Sequence, residues 1–130
     1  DYGYPSTELY CNSRSSGTLV CYKKHPLNYP TYNDIGEQDI TTHINFSALC
    51  HWGIKNGLQP CGYTNQAHFM RCLGLQRYLE KDTNTLNIQE QLFLLHTLLV
   101  DMGGKFKVLI QQKGMQQPKL SGLKFAQGII

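Results

Sequence analysis

Asp39-Ile-Thr-Thr-His-Ile-Asn-Phe46, continuing into Ser47-Ala-Leu-Cys-His-Trp-Gly-Ile-Lys55, divides the 130-residue chain into two unlike parts. Phe46, Leu49, Cys50, Gly53 and Ile54 recur at the i, i+3, i+4, i+7, i+8 spacing of one buried helix face. Asn45 stands where an N-cap belongs, with a side-chain oxygen able to accept a free N–H of the first turn. Asn56-Gly57 supplies the left-handed residue that commonly ends a helix. The polar cluster Asp39, Thr41, Thr42, His43 and Asn45 is thus delivered at the start of a rigid helix, which is one way to place functional groups with little freedom. It is equally the ordinary composition of a helix start. His43 reads either as a site residue or as a hydrogen-bonded structural histidine, and Asp39 either as a site carboxylate or as a turn residue bonded to local backbone.

Upstream, residues 2–38 are rich in Tyr, Ser, Gly, Pro and Asn, punctuated by Tyr4-Pro5, His25-Pro26, Tyr29-Pro30 and Ile35-Gly36. Gly17-Thr-Leu-Val-Cys-Tyr22 is a β-branched and aromatic run that predicts one strand. Tyr2, Tyr4, Tyr10, Tyr22, Tyr29 and Tyr32 speak against disorder, a state poor in aromatics, and for an ordered excursion that covers something.

Downstream the pattern is regular. Leu58 to Thr64 reads as a strand whose Pro60 belongs at an edge or a strand start. Ala67 to Leu73 reads as a helix with Phe69, Met70 and Leu73 inward and Gly74 as its stop, followed by helical turns over Leu75 to Lys81. After the polar link from Asp82, Asn87 and Glu90 have capping-box spacing before the apolar helix Ile88 to Val100. Asp101-Met-Gly-Gly104 breaks that helix, and Phe106 to Gln111 is the strongest strand of the chain, apolar enough for the inside of a sheet. Gln112 to Pro118 reads as a turn, and Leu120 to Ile130 as an extended or hairpin tail. Strand, helix, strand, helices, strand defines an α/β layered architecture in one domain.

Composition narrows the function classes. A net charge of +3, spread along the chain without interleaved aromatics, gives no support to a nucleic-acid surface. No apolar run reaches membrane-spanning length. The five cysteines, Cys11, Cys21, Cys50, Cys61 and Cys72, lack metal-knuckle spacing, and their odd number argues against a complete disulfide framework. Reduced thiols and no metal are the expectation. No dinucleotide fingerprint, phosphate loop, nucleophile elbow or zinc-protease signature occurs. Asp1-Tyr-Gly-Tyr4 reads as the exit of a strand whose body lies upstream, so the chain is expected to be the C-terminal portion of a longer protein.

Taken together and in order, Asp1-Tyr-Gly-Tyr4, Gly17-Thr-Leu19, Gly36-Glu-Gln-Asp-Ile-Thr-Thr-His-Ile-Asn-Phe46, Gly62-Tyr-Thr-Asn-Gln66 with Phe69, Leu73-Gly-Leu75 and Met102-Gly-Gly-Lys-Phe-Lys-Val-Leu109 resemble the MidA-like family of S-adenosylmethionine-dependent methyltransferases. The resemblance implies the C-terminal part of a class I, Rossmann-like fold: a mixed sheet with an antiparallel last strand. Asp1 to Gly3 closes the fifth strand, residues 4–45 form a family-specific insertion, and residues 46–130 supply helices and the last two strands, Leu58 to Thr64 and Lys105 to Gln111. The donor S-adenosyl-L-methionine is then held mainly by an upstream half that this segment lacks, leaving the segment inactive alone. A mitochondrial branch of the family resembles a protein-arginine methyltransferase acting on a respiratory complex I subunit during assembly. The chain departs from the family pattern at Asn45, where Asp is commoner, and at Gly104, where an acidic residue often follows Met-Gly.

The resemblance directs attention to the carboxyl ends of the parallel strands, where open α/β sheets bind ligands. Asp1, Asp39 and His43 are the expected catalytic residues, and Tyr2, Gly3, Thr41, Met102 and Gly103 the expected substrate-binding ones. A plain helix-to-strand turn remains the alternative for Met102-Gly103. The expected partner is a protein substrate, with no nucleic acid, no membrane insertion and an open oligomeric state, in a bacterial cytoplasm or a mitochondrial matrix. The competing reading is a non-catalytic module that binds a respiratory-complex or other protein partner.

Overall fold

The helix that follows Asn45 forms as its sequence requires. In the computed structural model, which describes residues 2–23, 27–28, 34–81, 86–116 and 118–126, α2 (Phe46–Lys55) begins with the Asn45 side chain accepting the Ala48 N–H at 2.9 Å. Asp1, the His25-Pro26 and Tyr29-Pro30 pairs, the link from Asp82 and the end of the tail lie outside the described residues. Gly57 follows α2 in the left-handed region at φ 81°.

α2 lies beside a two-stranded antiparallel sheet of β6 (Gln59–Asn65) and β7 (Lys107–Gln112), in register from Gln59 opposite Gln112 to Asn65 opposite Lys107. This is the neighbouring antiparallel pair expected of the last two strands. The register shifts between Pro60 and Gly62, where a residue without an N–H precedes the unpaired Cys61. Gln111 donates to the Cys50 carbonyl at 3.3 Å, and Gly53 lets the helix close on that side chain. The expected helix face is only partly covered. Phe46, Cys50 and Gly53 are buried, but Leu49 is 49% and Ile54 53% exposed, because the described sheet is two strands wide.

Helices then stack in sequence. α3 (Gln66–Leu73) is capped by Asn65, whose side chain accepts the His68 N–H at 2.8 Å, and ends at Gly74 with φ 84°. Leu73 points outward rather than inward, 55% exposed. α4 (Leu75–Lys81) follows directly. The capping box is formed at α5 (Ile88–His96): Asn87 accepts from Glu90 N at 2.9 Å and Glu90 accepts from Asn87 N at 2.8 Å. The apolar helix expected through Val100 does not run on as one α-helix. Residues Thr97–Asp101 form a π turn in which Met102 N bonds the Thr97 carbonyl. Its apolar stripe faces out, with Ile88, Leu92 and Phe93 exposed and no described element over them. The expected extended tail is instead a 3₁₀ turn, Ser121–Leu123, seated on α3 where only Gly122 fits against the Phe69 ring.

The described residues ahead of α2 include a sheet of their own. β1 (Gly3–Tyr4) leads into α1 (Ser6–Leu9) and a 3₁₀ turn at Asn12–Arg14. β2 (Val20–Tyr22) is central between β3 (Leu27–Asn28) and β4 (Asp39–Thr41), antiparallel to both, and buries Cys21 completely. Lys23 pairs with Glu37 at 2.9 Å and Asp34 at 3.0 Å, and these carboxylates, Glu37 foremost, raise its pKa. β5 (Ile44–Asn45) returns parallel to β1, and an antiparallel bridge pairs Tyr2, just before β1, with Phe106, just before β7. Among the described residues no helix is long and apolar enough to cross a membrane.

Candidate functional site

The parallel pairing of β1 with β5 sets Gly3 opposite Ile44 and Tyr4 opposite Asn45. Gly3 is required for it, since a Cβ there would run into the Ile44 backbone. Residues two apart on a strand share a face, so Tyr2 and Tyr4 flank this glycine on one side. His43, just before β5, fills the space between them. Its ring stacks on Tyr4 (centroids 5.2 Å apart, 16° between planes) and meets Tyr2 edge-on at 5.2 Å. Tyr2 in turn meets Phe106 edge-on at 5.8 Å.

These rings, with Tyr22 from β2 and the Gly104 to Lys107 segment, line an open cavity of 460 Å³. Lys107 turns its ammonium back onto the Gly104 carbonyl at 2.6 Å. No carboxylate lines the cavity among the described residues. His43 Nδ1 lies 3.4 Å from the Thr18 carbonyl. A carbonyl can only accept, so Nδ1 is the donor in this contact, and in the neutral ring that leaves Nε2 as the acceptor.

His43 is also a wall of a second cavity, of 590 Å³, on the side of α1 and the 3₁₀ turn. Tyr10, Cys11, Arg14, Thr18, Thr42 and Asn45 line it with polar groups. The Arg14 guanidinium lies 3.9 Å over the Tyr4 ring and donates to the Glu8 carbonyl at 2.6 Å and to Cys11 Sγ at 3.0 Å. The Tyr4 phenol beside it, followed by the Cys11 thiol, raises its pKa. The Ser13 hydroxyl, 3.0 Å away, lowers the pKa of Cys11 most; loss of solvent opposes it, and Arg14 adds to the lowering. Asn45 ties the cavity to α2: besides capping that helix it accepts from the Ser6 hydroxyl at 3.0 Å.

The residues expected at the site divide between cavity wall and framework. Tyr2, Gly3 and His43 come together in the first cavity. Asp39 and Thr41 do not line it. They lie on β4, with Asp39 exposed and paired to Tyr22, and Thr41 paired to Val20. Met102 and Gly103 precede the lining segment; Met102 is half-buried, and Gly103 is buried and accepts the Ala67 N–H at 3.1 Å. Asp1 is outside the described residues. Tyr4, Tyr22, Phe106 and Arg14 were not singled out from the sequence; the Tyr-Gly-Tyr alternation was the available signal for Tyr4. No group of three His, Cys, Asp or Glu is placed to hold a metal among the described residues.

Residues 1–64 match a family model described as "Putative S-adenosyl-L-methionine-dependent methyltransferase". The chain is similar over 97% of its length to a COG1565 superfamily member and "likely methyl transferase" from Burkholderia thailandensis, crystallised with S-adenosyl-homocysteine (31% identity, TM-score 0.87, 33% of that chain covered). It is equally similar to a native crystal structure of a COG1565 superfamily protein from the same organism (31% identity, TM-score 0.88, 97% of this chain and 34% of that one). The family-model match thus ends at residue 64, while the likeness in fold runs over 97% of this chain and spans about a third of the length of each of these proteins. No curated protein matches the sequence.

Proposed function

We propose that this chain forms the acceptor side of an S-adenosylmethionine-dependent methyltransferase. In this reading it is the C-terminal part of the domain, with residues 4–45 as an insertion over the site and residues 46–130 supplying the last two strands and their helices. The observation that carries the reading is the convergence of Tyr2, Gly3 and His43 on one cavity where β1 ends beside β5. A donor nucleoside is ordinarily held by a glycine-rich turn and an acidic residue on its ribose. The first cavity offers no such carboxylate among its described lining residues, and in this reading the donor is held by the part of the fold that precedes β1. The outward apolar face of α5 and the exposed Trp52 on α2 are surfaces for that part to cover.

Following the MidA-like resemblance, the proposed acceptor is an arginine side chain of a protein, a complex I subunit in the mitochondrial branch, and the compartment is cytoplasm or mitochondrial matrix. A bound donor supplies an electrophilic methyl group, and what the protein adds is chiefly alignment. Tyr2, Tyr22 and Phe106 present aromatic surfaces on which a planar guanidinium stacks. His43 Nε2, free to accept, is the group that takes the proton the guanidinium must release. Asp39 and Thr41 contribute through β4, whose pairing with β2 holds Tyr22 in place.

Calorimetric titration with S-adenosyl-homocysteine tests the assignment. The full-length protein is expected to bind it and residues 1–130 alone to show no binding. Equal affinity in both would overturn the division of the fold.

A further inference from the structure

The second cavity holds a guanidinium that meets no carboxylate. Lys23, in the same insertion, is matched by Asp34 and Glu37. Arg14 instead meets a carbonyl, a thiol and a ring, and forms no ion pair with a described residue. Glu8 is its neighbour only through the backbone. No acidic side chain lines the cavity among the described residues, and its remaining lining carries hydroxyl and amide groups from Ser15, Thr18, Thr42 and Asn45. A guanidinium has five N–H donors in a planar fork that matches a carboxylate. A carboxylate entering this open cavity would form a charge-assisted pair with that guanidinium.

We infer that this cavity is a subsite for a carboxylate, supplied by an acidic side chain of the protein substrate close to the methylated residue. The two cavities share His43 as a common wall, so they are a ring apart. In an extended peptide, side chains two residues apart point to the same face, about 7 Å apart along the backbone. One side chain enters the aromatic cavity while an acidic side chain two residues away reaches Arg14. This rests on the acceptor-side reading and adds sequence selectivity to it: acidic flanks are favoured, and uncharged ones of the same shape are not.

Fluorescence anisotropy with the full-length protein and S-adenosyl-homocysteine present tests this directly. The probes are a fluorescein-labelled arginine peptide flanked by glutamates and its counterpart flanked by glutamines. The glutamate peptide is expected to bind about tenfold tighter at low salt, the effect of one charge-assisted pair. Arg14→Ala should erase the difference. Because that variant can loosen the 3₁₀ turn, Thr42→Glu provides a second arm. It leaves Arg14 in place, puts a carboxylate at the exposed rim and should erase the same preference. Equal binding of the two peptides to the unaltered protein, or a preference that survives both variants, overturns the inference. Displacement of neither peptide by millimolar glutarate fits a flank of the substrate, whereas Arg14-dependent glutarate binding without peptide discrimination assigns the subsite to a small carboxylate and overturns the flank. A protein that methylates arginine without glutamate preference refutes the subsite alone. One that prefers glutamate but methylates no arginine refutes the acceptor reading alone.

Discussion

Gly103→Ala separates a packing role from a substrate-binding role for the Met102-Gly103 turn. A Cβ on Gly103 would collide with the Leu99 carbonyl oxygen and lie 2.6 Å from Ala67 Cβ and 2.7 Å from the Leu99 carbonyl carbon. Two of these three atoms are backbone, so no rotamer change relieves the crowding. The π turn and the start of α3 must move apart. Overpacking of this kind costs about 1–3 kcal/mol, and weakening the bond from Ala67 N to the Gly103 carbonyl adds about 1 kcal/mol. The total of about 2–4 kcal/mol corresponds to a fall in melting temperature of roughly 10 °C for a chain of this size. Gly104→Ala is the matched control, because a Cβ there meets nothing within 4 Å. It should shift stability by no more than about 0.5 kcal/mol. Circular dichroism melts and urea midpoints of the two variants make the comparison. If Gly103→Ala melts with the unaltered protein while substrate affinity falls, the packing account is refuted and Gly103 touches the acceptor.

Three further outcomes follow from particular contacts. Asn45→Ala removes the cap of α2 and the acceptor for Ser6, and should cost about 1–2 kcal/mol by urea unfolding, with Asn45→Asp retaining most of the stability. Tyr63→Phe should be neutral or stabilising, since the Tyr63 hydroxyl is buried without a hydrogen-bond partner among the described residues. Burial, and then the charge of Glu8, raise the Tyr63 pKa above its ordinary value of 10.0. The unfolded chain therefore releases that proton first. Stability from this group falls as pH rises through about 10 toward the folded pKa, and Tyr63→Phe should flatten that alkaline limb. An unchanged limb in the variant would show that Tyr63 does not titrate as its surroundings require.

Local chemistry made much of the fold legible. Asn45 and the Asn87–Glu90 box cap their helices because short polar side chains bond free N–H groups only at helix starts. The strand through Val108 pairs with the segment around Cys61 as its apolar pattern and the resemblance required. What periodicity could not reveal was which apolar faces are covered. Leu49, Ile54, Leu73 and the α5 stripe have core-like spacing but remain exposed, because spacing reports a face and not the element opposite it. Nor does periodicity register a change from four-residue to five-residue hydrogen bonding, so the π turn after His96 went unseen. At the candidate site, the resemblance points to Tyr2, Gly3 and His43, and the pairing of β1 with β5 brings these three to one cavity. Tyr22, Phe106 and Arg14 are brought in by β2, β7 and the 3₁₀ turn, contacts that depend on pairing across the chain.

His43→Ala in the full-length protein, with methyl transfer and S-adenosyl-homocysteine affinity measured on the same sample, bears most directly on the acceptor-side assignment. Transfer should fall by about 10²-fold or more, as loss of a positioned proton acceptor does, while donor-product affinity stays unchanged. Retained transfer with weakened S-adenosyl-homocysteine binding would place His43 on the donor side and contradict the account.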